Sequence, residues 1–529
     1  MTSDERVPIT TWIAFSALGL GMFMAILDIQ VVATSLPKIR EALDIPPERM
    51  SWLQTAYLIA EVISIPLTGW LTRVLTMRGL FVTAIAVFTV ASAGCALSSG
   101  FASLTTWRVA QGLAGGTLIP VVFVAVFLLF PNRLESVAST IAGVLAVLAP
   151  TVGPVVGGWI TQTYSWHWLF LLNIVPGIIA CAAGWLFLPR QHPNLALARS
   201  LDLVSLACIS LSLAALEIGL KEAPQRGWSS PVCVSLFGLC FLCGVVFVRR
   251  SLRAKLPIVR LATLGDRRFA LGCTLSFLTG IGLYGSVYLM PIFLSFVRDH
   301  GPLRIGEIML VTGATQLITA PLIVQAERRV NASILTLLGF AALGIGLGLS
   351  SFQTRETDFD GMFWPQVIRG AAIMLCFLPP TRVALGHLPA ERLPDASSLF
   401  NLMRNLGGAI GIALIDTVVW SRAPLHADEL LTRLRAGDLD VARSIGIPDV
   451  YLSGPPSLAD PTVQTFVGPL LERAGLVAAI DEAWAMIAAL ALVGVLLMAL
   501  SGLRRASNFT PDAGPPNRIE VPESPRQLH

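Results

Sequence analysis

Apolar runs of roughly 18–29 residues, broken by short polar connections, recur along the chain from Trp12 to Leu503. About 20 apolar residues in a helix span the hydrocarbon core of a bilayer. On that basis the pattern predicts fourteen membrane-spanning helices. The first covers 12–34, the second and third 51–71 and 79–98, the fourth 104–130, the fifth 137–161, the thirteenth 397–420 and the last 478–503. The predicted fold class is an all-α membrane protein.

A polar position matters most where the apolar pattern surrounds it. Asp28 is the only charge in the first span, and a carboxylate at that depth costs roughly 2.5–3.5 kcal/mol on insertion scales. Such a residue points to proton-linked transport. Arg108 lies at a similar depth in the fourth span, so the two can pair if their helices are neighbours. Such a pair either couples protonation to movement or only locks the packing. Glu61 lies near the middle of the second span. Burial there favours its protonated form, which suits a proton carrier; a charge facing substrate is the other reading. Gln30, Gln111, Gln366, Arg369, Arg404 and Asn405 are candidates to line a central cavity. Asp202, Glu217, Glu307 and Asp416 read as helix-end charges.

The composition agrees: 54% of residues are hydrophobic and only 13% charged, against about 25% charged in soluble domains. The net charge of +4 is small, and nucleic acid is not an expected partner. All eight cysteines fall inside spans, which argues against a disulfide framework. Cys240 and Cys243 form a CxxC without a second pair, read as packing, and no metal site is expected. Residues 1–11 hold no cleavage signal, so the first span reads as an uncleaved anchor. Short loops on one side hold fifteen Lys and Arg against eight on the other. This bias predicts cytoplasmic termini in a cell inner membrane, and the basic run Arg249–Arg268 is expected to meet membrane lipid.

The chain also repeats weakly. Val32 to Pro37 in span one matches Val287 to Pro291 in span nine, Trp107-Arg108 matches Ile368-Arg369, and Gly157-Gly158 matches Gly407-Gly408. Setting spans seven and eight aside, this divides the chain into a six-helix bundle at 12–188, two inserted helices at 202–249 and a second six-helix bundle at 269–503. Position 282, the counterpart of Asp28, is Gly. Proton handling is therefore expected in the first half. The 421–477 stretch reads as a long outer loop with a charged helix-like piece at His426–Arg435 and a Pro/Gly-rich turn at Ser453–Ser457, either a docking element or disordered, and 504–529 as a disordered tail. Gly153, Pro154, Gly157 and Gly158 suit close helix packing, as do Gly112 and Gly116.

Five segments carry a resemblance: Leu27 to Pro37, Arg108-Val-Ala-Gln-Gly112, Ala149 to Gly158, Phe170 to Gly177 and Arg404 to Gly411. Together they resemble the fourteen-span drug:proton antiporters of the major facilitator superfamily, the EmrB/QacA type, over residues 12–503. The third segment looks like the superfamily's antiporter motif. The resemblance implies proton-driven efflux of amphipathic or lipophilic toxic compounds by alternating access, with no cofactor and no enzyme activity. It also implies partners: members of this type commonly work with a periplasmic adaptor and an outer-membrane channel, with which the 421–477 stretch is compatible. Import or facilitated diffusion of a small solute is the alternative within transport, and a membrane sensor the alternative outside it. This chain departs from the pattern at Ala33, where Asn is usual, and at His167, where Arg is common. Arg73 and Thr76 replace the Asp and second Gly of a cytoplasmic-gate motif.

Overall fold

A computed structural model describes residues 7–50, 52–194, 196–197, 201–436, 438–447 and 461–507. The Ser453–Ser457 turn and the 508–529 part of the tail lie outside them. Within them every regular element is helical. The stretch expected as the first bundle holds α1 (Ile9–Ala42), the short α2 (Pro47–Met50), α3 (Trp52–Ala96), α4 (Phe101–Leu129), α5 (Asn132–Thr163), α6 (His167–Leu171) and α7 (Ile174–Phe187). The inserted pair is α8 (Leu203–Arg226) and α9 (Pro231–Arg253). The stretch expected as the second bundle holds α10 (Arg267–Ile292), α11 (Pro302–Glu327), α12 (Ala332–Leu349), α13 (Phe359–Leu385), α14 (Leu393–Arg435), α15 (Leu439–Ser444) and α16 (Pro461–Ser507). Helices suit a bilayer because each satisfies its own backbone groups.

Among the described residues thirteen helices are long and apolar enough to cross a membrane, against the fourteen expected. The difference lies in α3, where the second and third expected spans fall within one element of 45 residues. At Thr76 its backbone turns to φ 71° and ψ 164°, a region essentially restricted to glycine. The Thr76 hydroxyl accepts the Gly79 amide N–H at 3.2 Å, as an N-cap does, and so opens the second segment.

The 421–477 stretch, expected as a loop, is largely helical where it is described. α14 continues to Arg435 and α16 begins at Pro461. The 43 residues of α14 extend roughly 60 Å at about 1.5 Å per residue, twice the bilayer's apolar thickness. The projecting parts pair through Arg422 and His426, both bound to Glu482. Leu434, Val441, Ile445, Val467 and Leu471 give them a separate small core.

Glycines set the closest helix contacts. A Cβ on Gly112 would stand 2.3 Å from the Tyr57 carbonyl oxygen, and one on Gly116 2.4 Å from that of Glu61. α4 therefore lies backbone to backbone on α3. On α5, Gly153 abuts Gln30 of α1, and Gly158 abuts Pro302 and Leu303 of α11. The inserted pair is peripheral: Phe241 on α9 is 74% exposed, a position that suits lipid. Its α8 nevertheless packs on both α3 and α14, bridging the halves.

Candidate functional site: a buried charge network and an inter-bundle contact

The approach of α4 to α3 carries Arg108 inward, against α1. Its Nη1 donates to Asp28 Oδ2, and both side chains are wholly buried. Gln111 Nε2 and Asn173 Nδ2 donate to Asp28 Oδ1 at 2.9 and 2.8 Å. Both amides also donate to Ser92 Oγ, at 2.7 and 3.0 Å. Arg108 is held further by Gln111 Oε1 at 2.7 Å and the Leu53 carbonyl at 3.3 Å, and it stacks 4.2 Å from the Tyr57 ring. Two charges removed from water are tolerable only when both are paired and hydrogen-bonded. Asp28 meets that condition.

Three helices and the break between α6 and α7 build this network, and beside Gln111 two further neutral members, Ser92 and Asn173, carry no charge to betray them in the sequence. Ser92 reads as an ordinary small residue. Asn173 was legible only as the single polar side chain of Phe170 to Gly177, and it sits where the helix breaks between α6 and α7. Gln111, expected in a substrate cavity, belongs to this network instead: it is fully buried and its side chain is consumed by Arg108, Asp28 and Ser92.

Glu61 lies one helical turn beyond Tyr57. It is 3% exposed, and no hydrogen bond or ion pair holds its carboxylate among the described residues. Its charged neighbours are Glu217 on α8, Arg108, Arg404 and Asp28. Glu217 is a half-buried acid on the inserted helix α8, which packs against α3, not the helix-end charge it resembled. Arg404, on α14, acts on Glu61 only through its charge, without an ion pair between them. Its guanidinium lies 5.9 Å from the Phe123 ring of α4 and 4.7 Å from the Phe377 ring of α13, and bonds Asn401. Asn405 accepts from the Tyr284 hydroxyl at 3.2 Å. Gln30 stands two residues beyond Asp28, its Cβ against Gly153. Arg369 and Gln366 lie apart from this group, buried near Thr312, Met290 and Trp484.

On the face where α1 begins, Arg73 ends the first segment of α3. It forms an ion pair with Asp395, in the first turn of α14. Arg260 Nε reaches the same carboxylate at 3.3 Å, and Arg73 Nη2 donates to the Pro257 carbonyl at 3.0 Å. A Cβ on Gly69 would overlap Asp395 at 2.4 Å, so glycine is what admits this contact. The acid that the first bundle lacks at position 73 is supplied by the second, at a helix N-terminus that favours negative charge. Asp395 was missed because it stands two residues outside the expected thirteenth span. Ser397 Oγ donates to the Pro120 carbonyl at 2.9 Å and joins the bundles on the same face.

Two helical bundles, a sealed intramembrane ion pair and charged contacts between the bundles define a polytopic membrane transporter. Residues 18–412 match the Major Facilitator Superfamily, and the chain belongs to that family. It is 36% identical over 422 residues to the colistin resistance protein EmrB of Acinetobacter baumannii, covering 80% of this chain and 82% of that one. It is 30% identical over 421 residues to the multidrug export protein EmrB of Escherichia coli, covering 78% and 81%. Among solved structures, the proton:xylose symporter XylE superposes with a TM-score of 0.59 at 12% identity, over 94% of this chain and 96% of that one. That last likeness speaks for the fold alone.

Proposed function

We propose that this efflux transporter exchanges protons for amphipathic or lipophilic toxic compounds by alternating access. The observation that carries the reading is the enclosed pair of Asp28 and Arg108. A proton on Asp28 removes the charge that holds Arg108, and an unpaired buried guanidinium must then find another partner or reach water. α1 and α4 are thereby driven to a different packing. Glu61, without a partner and within the field of Arg404 of the opposite bundle, is the first acceptor of an arriving proton, and Asp28 the second.

In this reading the face where α1 begins is cytoplasmic and the membrane is the inner one. The bond between Arg73 and Asp395 closes that side while the other receives protons. Substrate occupies the space between the bundles, near Arg404, Asn405 and Gln30. The projecting parts of α14 and α16 offer a periplasmic adaptor a rigid platform, and an outer-membrane channel completes the path. Support for efflux comes from the named role of the Escherichia coli relative in multidrug export.

Uptake of a fluorescent lipophilic cation into everted vesicles tests the proposal. Asp28→Asn is expected to abolish acidification-driven uptake into the vesicles while the protein remains in the membrane. Unchanged uptake by this variant removes the proposed carrier.

A further inference from the structure

The second bundle holds a guanidinium that nothing neutralises. Arg369 is 2% exposed, and no carboxylate pairs with it among the described residues. Its Nη2 meets only the Met290 sulfur at 2.6 Å and Thr312 Oγ1 at 3.4 Å, and its Nε has no partner. The sequence repeat sets Arg369 opposite Arg108 but puts Gly282 opposite Asp28. The second bundle has the cation without the acid.

A cavity of about 100 Å³ opens beside this guanidinium. Three residues of its lining carry a buried N–H donor without a partner, Arg369 at Nε, Gln366 at Nε2 and Trp484 at Nε1, and a fourth, Gln353, carries an unpartnered acceptor at Oε1. Gln366 and Trp484 are 1% and 0% exposed. Its remaining wall is mixed, with Met290, Leu349, Met362 and Pro365 beside Ser350, Gln353 and Thr357. Phe352, 81% exposed, marks where it reaches the surface, between α12 and α13. The neighbouring acid, Asp481, lies outside the lining and accepts the Gln353 amide N–H at 3.1 Å.

We infer that this cavity binds the carboxylate headgroup of an amphiphile. One fixed cation matches one negative charge, and the planar guanidinium fork suits a carboxylate. Unsatisfied donors in a buried site are each costly, and a carboxylate against Arg369 brings acceptors into the same lining. The apolar part of the wall takes the first carbons of an alkyl stem. The inference does not rest on the transport reading, which puts substrate between the bundles; this site is read by binding alone.

Isothermal titration of the purified full chain in zwitterionic nanodiscs, at fixed pH, tests it with octanoate, acetate, chloride and octyltrimethylammonium. Octanoate is expected to bind saturably, more tightly than acetate, with no binding of the cation. Arg369→Gln should weaken octanoate about a hundredfold, Arg369→Lys less, and Gln366→Leu about tenfold, the last serving if Arg369→Gln does not fold. No octanoate binding by the unaltered protein, equal binding by Arg369→Gln or Gln366→Leu, or equal competition by chloride overturns the site. Acetate binding as tightly as octanoate overturns the amphiphile. Since the readout is equilibrium binding, it stands or falls separately from proton-driven export.

Discussion

Arg108 on α4 holds the carboxylate of Asp28 on α1 across 80 residues of sequence, and neither side chain reaches solvent. Breaking a buried pair by neutralising one partner costs about 3–5 kcal/mol, whereas removing both charges is often nearly neutral. Asp28→Asn is therefore expected to lower thermal stability, and Asp28→Asn/Arg108→Gln to recover most of it. Neither variant should export. Melting curves in detergent, paired with vesicle transport, check both statements. A double variant that exports would reduce the pair to a packing element.

The contact of Arg73, Arg260 and Asp395 predicts an order of effects. Asp395 is 1% exposed in its side chain, Arg73 19% and Arg260 35%. Asp395→Asn leaves two like charges facing each other and should slow transport about tenfold or more, equivalent to about 1.4 kcal/mol. Arg73→Gln should follow, and Arg260→Gln should have the smallest effect, since exposed pairs contribute about 0.2–1 kcal/mol. Rates of substrate transport for the three variants read the order directly.

Thr76 sets two terms against each other. Its backbone conformation costs of order 1–3 kcal/mol for a residue other than glycine. Its side-chain cap on Gly79 is replaced by glycine at a loss of only a few tenths of a kcal/mol. Thr76→Gly should therefore raise the melting temperature. A fall would mean that the cap outweighs the strain.

Glycine substitutions distinguish contact from conformation. Gly112→Ala places a methyl group 2.3 Å from the Tyr57 carbonyl oxygen and must separate α4 from α3; a cost of about 1–3 kcal/mol follows from overpacking. Gly238 on α9 has nothing within 4 Å of its added Cβ. Gly238→Ala should stabilise by up to about 1 kcal/mol through helix propensity. Thermal unfolding of both variants beside the parent protein provides the comparison.

The sequence made the bilayer architecture plain because apolar length is a local property. Asp28 and Arg108 were legible for the same reason: a charge inside an apolar run stands out. Asn173, Ser92 and Asp395 were not. The first two are neutral and gain importance only through the carboxylate they meet. The third lies at a helix start, where an acid is unremarkable until the fold brings Arg73 to it. Glu217 was read as an end charge because its depth depends on how α8 packs, not on its neighbours in sequence. The 421–477 stretch misled for the opposite reason. Its polar composition fits a loop, but it also fits helices that continue into water and carry their own small core around Leu434 and Leu471.

The central claim is that Asp28 gives up and takes up a proton as substrate binds. Proton release can be followed with a pH dye in weakly buffered detergent solution as substrate is added to purified protein. The account predicts release by the unaltered protein, and none by Asp28→Asn under conditions where that variant still binds substrate. Equal release by the two proteins would contradict it.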